Sequence, residues 1–226
     1  MLWQLVLFGF LVSIIYLVSR QLIQLLFGIS ISLMRNHKAA MWFLALILLP
    51  GTIVHELSHF FAAAILRVPT GKLSIFPSEG DKGEIRAGHL VIARTGPIRH
   101  TIIGVAPIMV GLIILYFLSS AFVTNPLQIS NVFISYILFS ISSTMFSSKS
   151  DMRSFIFVAP VAILLVTAVY LAGVRVTFTQ NLQEIMIEGA KKLNFSLAQV
   201  GIIDTAVFLL LQMVVKTPRP KRPGLL

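Results

Sequence analysis

Apolar positions fall in long unbroken blocks, and polar positions gather between them. Leu2 to Ser19 is apolar and long enough to cross a bilayer. Arg20, Gln21 and Gln24 interrupt, and Leu22 to Met34 is apolar again. The pattern is open between one long tilted helix, a helix with an interfacial segment, and two short crossings. Arg35, His37 and Lys38 form a polar boundary, with His37 at headgroup level. A second apolar run spans Ala39 to Leu66, with Pro50-Gly51 inside it as a predicted kink. From Arg67 the pattern changes. Residues 72–76 alternate, 77–83 are polar and turn-like, and 84–93 alternate again, which predicts a β-hairpin at the membrane surface. Gly96-Pro97 opens a third apolar helix to Ser120. Further apolar segments follow at Asn131–Phe146 and Phe155–Ala172. Residues 173–201 are amphipathic, and Ile203–Val215 is a short apolar segment.

This pattern predicts a mainly α, polytopic membrane protein with about six transmembrane helices. A membrane-associated β-hairpin lies between the second apolar run and the next helix. The predicted organisation is an N-terminal transmembrane or interfacial segment (1–38) and a core (39–154). The core holds the hairpin at 68–95 and helices at 97–120 and 131–150. C-terminal helices (155–215) follow, with an amphipathic segment at 177–202, and then a disordered basic tail (216–226).

Composition narrows the picture. Apolar residues make up 57% and charged residues 12% of the chain, which excludes a soluble globular protein. The absence of cysteine removes disulfides and thiolate ligands, so any metal site must use His, Asp or Glu. A net charge of +10 in such a chain points to basic loops beside anionic lipid headgroups, not to nucleic acid. No basic segment precedes the first apolar stretch, which reads as a retained helix rather than a cleaved signal. The charge-free stretch 121–130 is expected outside. The hairpin, the Lys149–Arg153 turn and the tail are expected on the cytoplasmic side, although Arg35 and Lys38 then fall outside, against the rule.

The chemistry sits in the second apolar run, at His55-Glu56-Leu57-Ser58-His59. Histidines at i and i+4 share a helix face, so both rings can reach one metal ion, with the adjacent glutamate near a metal-bound water. This is the H-E-x-x-H pattern of zinc hydrolases, in which zinc acidifies water and the glutamate takes its proton. Ionisable groups in a membrane helix are functional by default. The plainer alternative is a pair of interhelical hydrogen-bonding histidines beside a buried glutamate. A catalytic zinc needs a third protein ligand. Asp151 has the matching depth, at the cytoplasmic end of its helix. Glu79, Asp81 and Glu84 belong to the hairpin, Glu184, Glu188 and Asp204 are expected on the far side, and His100 stands in reserve. Serines in the 130–150 helix are expected to line a wet path to the metal. The hairpin's edge offers a place where an extended peptide adds as a strand, with Leu73, Ile75 and Ile85 as candidate substrate contacts.

A motif helix, a membrane-associated hairpin, a Gly-Pro-initiated helix and a later helix carrying an aspartate together resemble the site-2 protease family of intramembrane zinc metalloproteases. The likeness covers Ala39 to Arg153. It implies zinc held by His55, His59 and Asp151, Glu56 as general base, and a peptide bond in or near a substrate's membrane segment as the target. A single-pass membrane protein is the implied substrate, and a multi-pass protein of a bacterial-type plasma membrane is the implied setting, with the active site towards the cytoplasm. The chain departs from the family pattern at several positions. His100 stands where Gly-Pro-x-x-Asn has its asparagine, Ser143 and Phe146 replace the Asn and Pro of Asn-x-x-Pro, and Met152 follows Asp151 where the family has glycine. A membrane zinc transporter or sensor, a non-catalytic membrane scaffold, and a hydrolase of lipid-linked substrates are the rival readings.

Overall fold

The computed structural model describes residues 2–76, 78–79, 85–86, 89–93, 95–121, 128–146, 153, 160–161, 164–165, 167–169, 171–173 and 179–214. Six helices and two short β-ladders are described: α1 (Leu2–Met34), α2 (His37–Ile47), α3 (Leu49–Ile65), β1 (Thr70–Ser74), β2 (Ser78–Glu79), β3 (Ile85–Arg86), β4 (His89–Ile92), α4 (Pro97–Ser119), α5 (Ile129–Thr144) and α6 (Gln180–Val214).

The expected six spans are not what the described residues contain. Three helices, α1, α4 and α6, are long and apolar enough to cross a membrane, and α2 with α3 makes a fourth if the bent pair counts as one span. The difference arises in three places. The polar residues around Arg20 do not interrupt α1. Arg20 stays on the exposed side and its Nη1 donates to Tyr16 Oη one turn back at 3.0 Å, so the helix runs on for 33 residues. The amphipathic segment and the short apolar run after it are likewise one 35-residue helix, α6. The Asn131–Phe146 run gives α5, only 16 residues long. Most of the Phe155–Ala172 segment and the tail beyond Val214 lie outside the described residues.

Local chemistry explains the boundaries that frame the site. α1 stops at Met34 because Arg35 adopts a left-handed conformation (φ 50°). Asn36 then caps α2, its side chain accepting from the amides of Lys38 (2.9 Å) and Ala39 (3.4 Å). α2 and α3 meet at Leu48 with a bend of 78°. Pro50 enforces a break here. It has no amide to donate, and its ring would collide with the carbonyl of Leu46 in a continuous helix, but it is well placed in the first turn of α3. Gly96 and Pro97 open α4 in the same manner.

The hairpin is present. β1 pairs antiparallel with β4 in the register Leu73↔Leu90 and Ser74↔His89, and β2 pairs with β3 through Ser78↔Arg86 and Glu79↔Ile85. It is tied to α2 by Trp42 and Phe76, whose rings stack with centroids 5.7 Å apart.

Helix packing sets the rest. α1 lies along α6, and α3 lies against both α4 and α5. The main apolar cluster joins Ile15 of α1, Ile108 and Leu115 of α4, Leu138 and Ile141 of α5, and Leu197 and Val200 of α6. A second cluster around Leu22, Leu26, Leu48 and Phe139 seats the bend, and a third, Ala63, Val68 and Ile103, joins the end of α3 to the start of α4. Small residues at the contacts carry the close approaches between helices. Gly51 packs on α5 and Gly111 packs on Met145.

Candidate metal centre

α3 is buried on one face and open on the other. Gly51, Thr52, His55, Glu56, Ser58, His59 and Ala63 face inward, whereas Phe61 and Ile65 are exposed. The three motif residues are therefore the polar part of a packed interface, with His55 6%, Glu56 6% and His59 8% exposed. The two imidazoles lie beside one another, centroids 4.9 Å apart and planes at 87°.

His59 is held by its second nitrogen. Its Nδ1 lies 2.9 Å from the carbonyl oxygen of Ile103 on α4. A carbonyl only accepts, so Nδ1 carries the proton and donates. Nε2 is then the unprotonated nitrogen, the tautomer in which metal-binding histidines are usually oriented. The donor set fits zinc as far as it is described: two imidazoles at i and i+4, one with its tautomer fixed, and a carboxylate next to the first.

The third ligand is less well placed. Asp151 lies outside the described residues, as do Asp81 and Glu84. Among the described residues no group of three or more His, Cys, Asp or Glu comes together. His100 is exposed at the start of α4, and His37 is exposed beside Phe27, so neither is drawn into the site. Glu184 and Glu188 are exposed on α6. Leu73 is 37% exposed on β1, Ile75 follows that strand half-buried, and Ile85 lies on β3.

Ile47 at the end of α2 meets Tyr136, and Gly51 in the first turn of α3 meets Ser140. Ser140 and Thr144, at the end of α5, close on Gly51, one turn before His55.

Several site residues had no advance signal. The Ile103 carbonyl is backbone, and no residue type marks it. Ser140 meets Gly51 of α3 and Tyr136 meets Ile47 of α2, each across 89 positions of sequence. Of the serines of α5, expected to line a wet path, Ser130 is exposed and Ser135 half-buried, while Ser140, Ser142 and Ser143 are fully buried and lie on different faces. Ser140 and Thr144 lie against Gly51, while Ser142, about 200° around the helix from Ser140, donates to Asp204 Oδ1 at 3.0 Å. Asp204 is fully buried, and its other oxygen accepts no hydrogen bond among the described residues. Asp204 is packed inside the helix bundle against α5, on the side of that helix away from the Gly51 contact.

Comparison with family models, with curated proteins and with solved structures finds no match for this chain.

Proposed function

We propose that the protein is an intramembrane zinc metallopeptidase of the site-2 protease type, acting on membrane-spanning, single-pass protein substrates. The observation that carries this reading is the buried His55–His59 pair with His59 Nδ1 committed to the Ile103 carbonyl. A histidine oriented through Nδ1 in this way presents Nε2 as the acceptor, as metal-binding histidines do. His55 and His59 would hold the zinc, with Asp151, seven residues beyond Thr144 in the sequence, as third ligand.

Zinc bound there supplies an acidified water and polarises the scissile carbonyl. Glu56 accepts the proton of the attacking water and delivers it to the leaving amine. Burial of Glu56 beside His55 keeps that carboxylate in place and excludes bulk water from the exchange. β1 pairs with β4 along one edge, and its other edge, near Leu73 and Ile75, is where an extended substrate segment would add as a strand. Such a segment must first lose its helix, because a helical peptide bond is shielded by its own hydrogen bonds. Three apolar helices long enough to span a bilayer support the membrane setting. A multi-pass protein of a plasma membrane, with the site on the cytoplasmic side, is the corresponding localisation.

Zinc content and cleavage of a reconstituted single-pass substrate test the proposal together. Wild type should carry one zinc per chain, His59→Ala and Asp151→Ala should lose it, and Glu56→Gln should keep it while cleaving nothing. Full activity in Glu56→Gln refutes the general-base role. Zinc held equally by wild type and Asp151→Ala moves the third ligand elsewhere.

A further inference from the structure

In a continuous helix the amide of Gly51 donates to the carbonyl of Ile47. The 78° bend takes these two groups apart. Each is then met by a side chain of α5: Gly51 N–H donates to Ser140 Oγ at 2.9 Å, and Tyr136 Oη donates to the Ile47 carbonyl at 3.0 Å. Tyr136 and Ser140 are four residues apart, on one face of α5. Together they stand in for the backbone bond that the bend removed, acceptor for acceptor and donor for donor. The backbone bonds on either side, Leu48 N to Leu44 O at 3.0 Å and Thr52 N to Leu48 O at 2.9 Å, remain intact. Thr144, one turn further along that face, closes against Gly51 together with the Ser140 carbonyl, which leaves no room there for a Cβ.

Proline alone explains a kink but not this one. A proline kink leaves the arms within a few tens of degrees of a common line. The larger angle requires the freed groups to be satisfied elsewhere, since unpaired buried amides and carbonyls are costly.

We propose that Tyr136 and Ser140 are positioning residues for the histidine site. They hold the motif helix bent at Leu48 and keep its first turn, at Gly51, against α5, so that the two rings one and two turns further on keep their places in the bundle. Without them the Ile47–Gly51 bond can re-form, α2 swings towards the line of α3, and α3 lifts from α5. The metal part of this inference rests on the zinc reading above; the bend does not.

The chain has no cysteine, so two introduced at exposed Lys38 and Ala64 can be spin-labelled cleanly. At 1.5 Å per residue the arms from Leu48 are about 15 and 24 Å long. A 78° bend puts the two backbone positions about 31 Å apart, and a proline-type kink of about 30° puts them about 38 Å apart. The expected result is a lengthening of about 7 Å in Tyr136→Phe/Ser140→Ala, smaller shifts in the single variants, and a zinc Kd raised about 10–100-fold against a competing chelator. Leu138→Ala, fully buried on the same helix in the main apolar cluster, should lower Tm and change neither reading. An unchanged distance in the folded single or double variants overturns the clamp. A lengthened distance with unchanged zinc affinity overturns its role in positioning. A wild type that binds no zinc defeats the metal reading, while the distances still decide the clamp.

Discussion

Replacing Gly51 by alanine tests the close approach of α3 to α5 most directly. A Cβ at this position would overlap the Ser140 carbonyl and the Thr144 hydroxyl. The first of these is backbone, so relief requires moving a helix rather than a rotamer. Overpacking of this kind costs about 1–3 kcal/mol. Weakening the Gly51–Ser140 hydrogen bond adds about 1 kcal/mol, and the better helix propensity of alanine returns about 1 kcal/mol. The net expectation is a loss of about 1–3 kcal/mol, or about 2–12 °C in Tm for a chain of this size. Gly28 is the matched control. It lies within α1, exposed, and a Cβ added there would have no atom within 4 Å, so Gly28→Ala should gain up to about 1 kcal/mol. Thermal unfolding of both variants in the same detergent is the assay. Equal or greater stability of Gly51→Ala, matching Gly28→Ala, would refute the argument.

Other sites give narrower expectations. Gly111→Ala meets Met145 Sδ at 3.1 Å and Cβ at 3.2 Å, and a flexible methionine can give way, so the Tm change should stay within about 1 kcal/mol; a larger fall would show that α4 cannot yield there. Asp204→Asn keeps an acceptor for Ser142 and removes an acid from an apolar helix, so its Tm should equal or exceed wild type, with Asp204→Ala about 1–2 kcal/mol below Asp204→Asn; the reverse order would refute the reading. A double-mutant cycle on Trp42→Ala and Phe76→Ala should return a coupling of about 0.5–1.5 kcal/mol, and a coupling near zero would mean that the stack does not link the hairpin to α2.

Local pattern carried much of this architecture. The i, i+4 spacing put His55 and His59 on one face, the alternation at 72–76 and 84–93 gave the antiparallel hairpin, and Pro50-Gly51 marked the bend. What failed was judgement of continuity and of partners. Hydropathy averages over a window, so Arg20 looked like a boundary although a single cation on an exposed face does not disturb the backbone ladder of α1. The polar residues of α6 looked like a surface helix because the partners that bury Asn194, Ser196 and Asp204 come from α1, α4 and α5. Asn194 bonds Gln4, Ser196 bonds Ser119 and Asp204 bonds Ser142. Such pairings span 62 to 190 positions, beyond the reach of any local period. The same holds for the Ile103 carbonyl that orients His59.

The pairing of α1 with α6 also bears on how the chain is made. Asn194 Nδ2 donates to the Gln4 carbonyl at 3.0 Å and to Gln4 Oε1 at 2.7 Å, joining residues 190 positions apart. On a growing polypeptide α1 must therefore wait for about 190 further residues before its main neighbour emerges from the ribosome. α6 arrives carrying Asp204, and an aspartate at the centre of a lone membrane helix opposes insertion by about 2.5–3.5 kcal/mol. Its hydroxyl partner, Ser142, has by then already been synthesised on α5. Integration of α6 into a bilayer would in this way be conditional on the earlier helices.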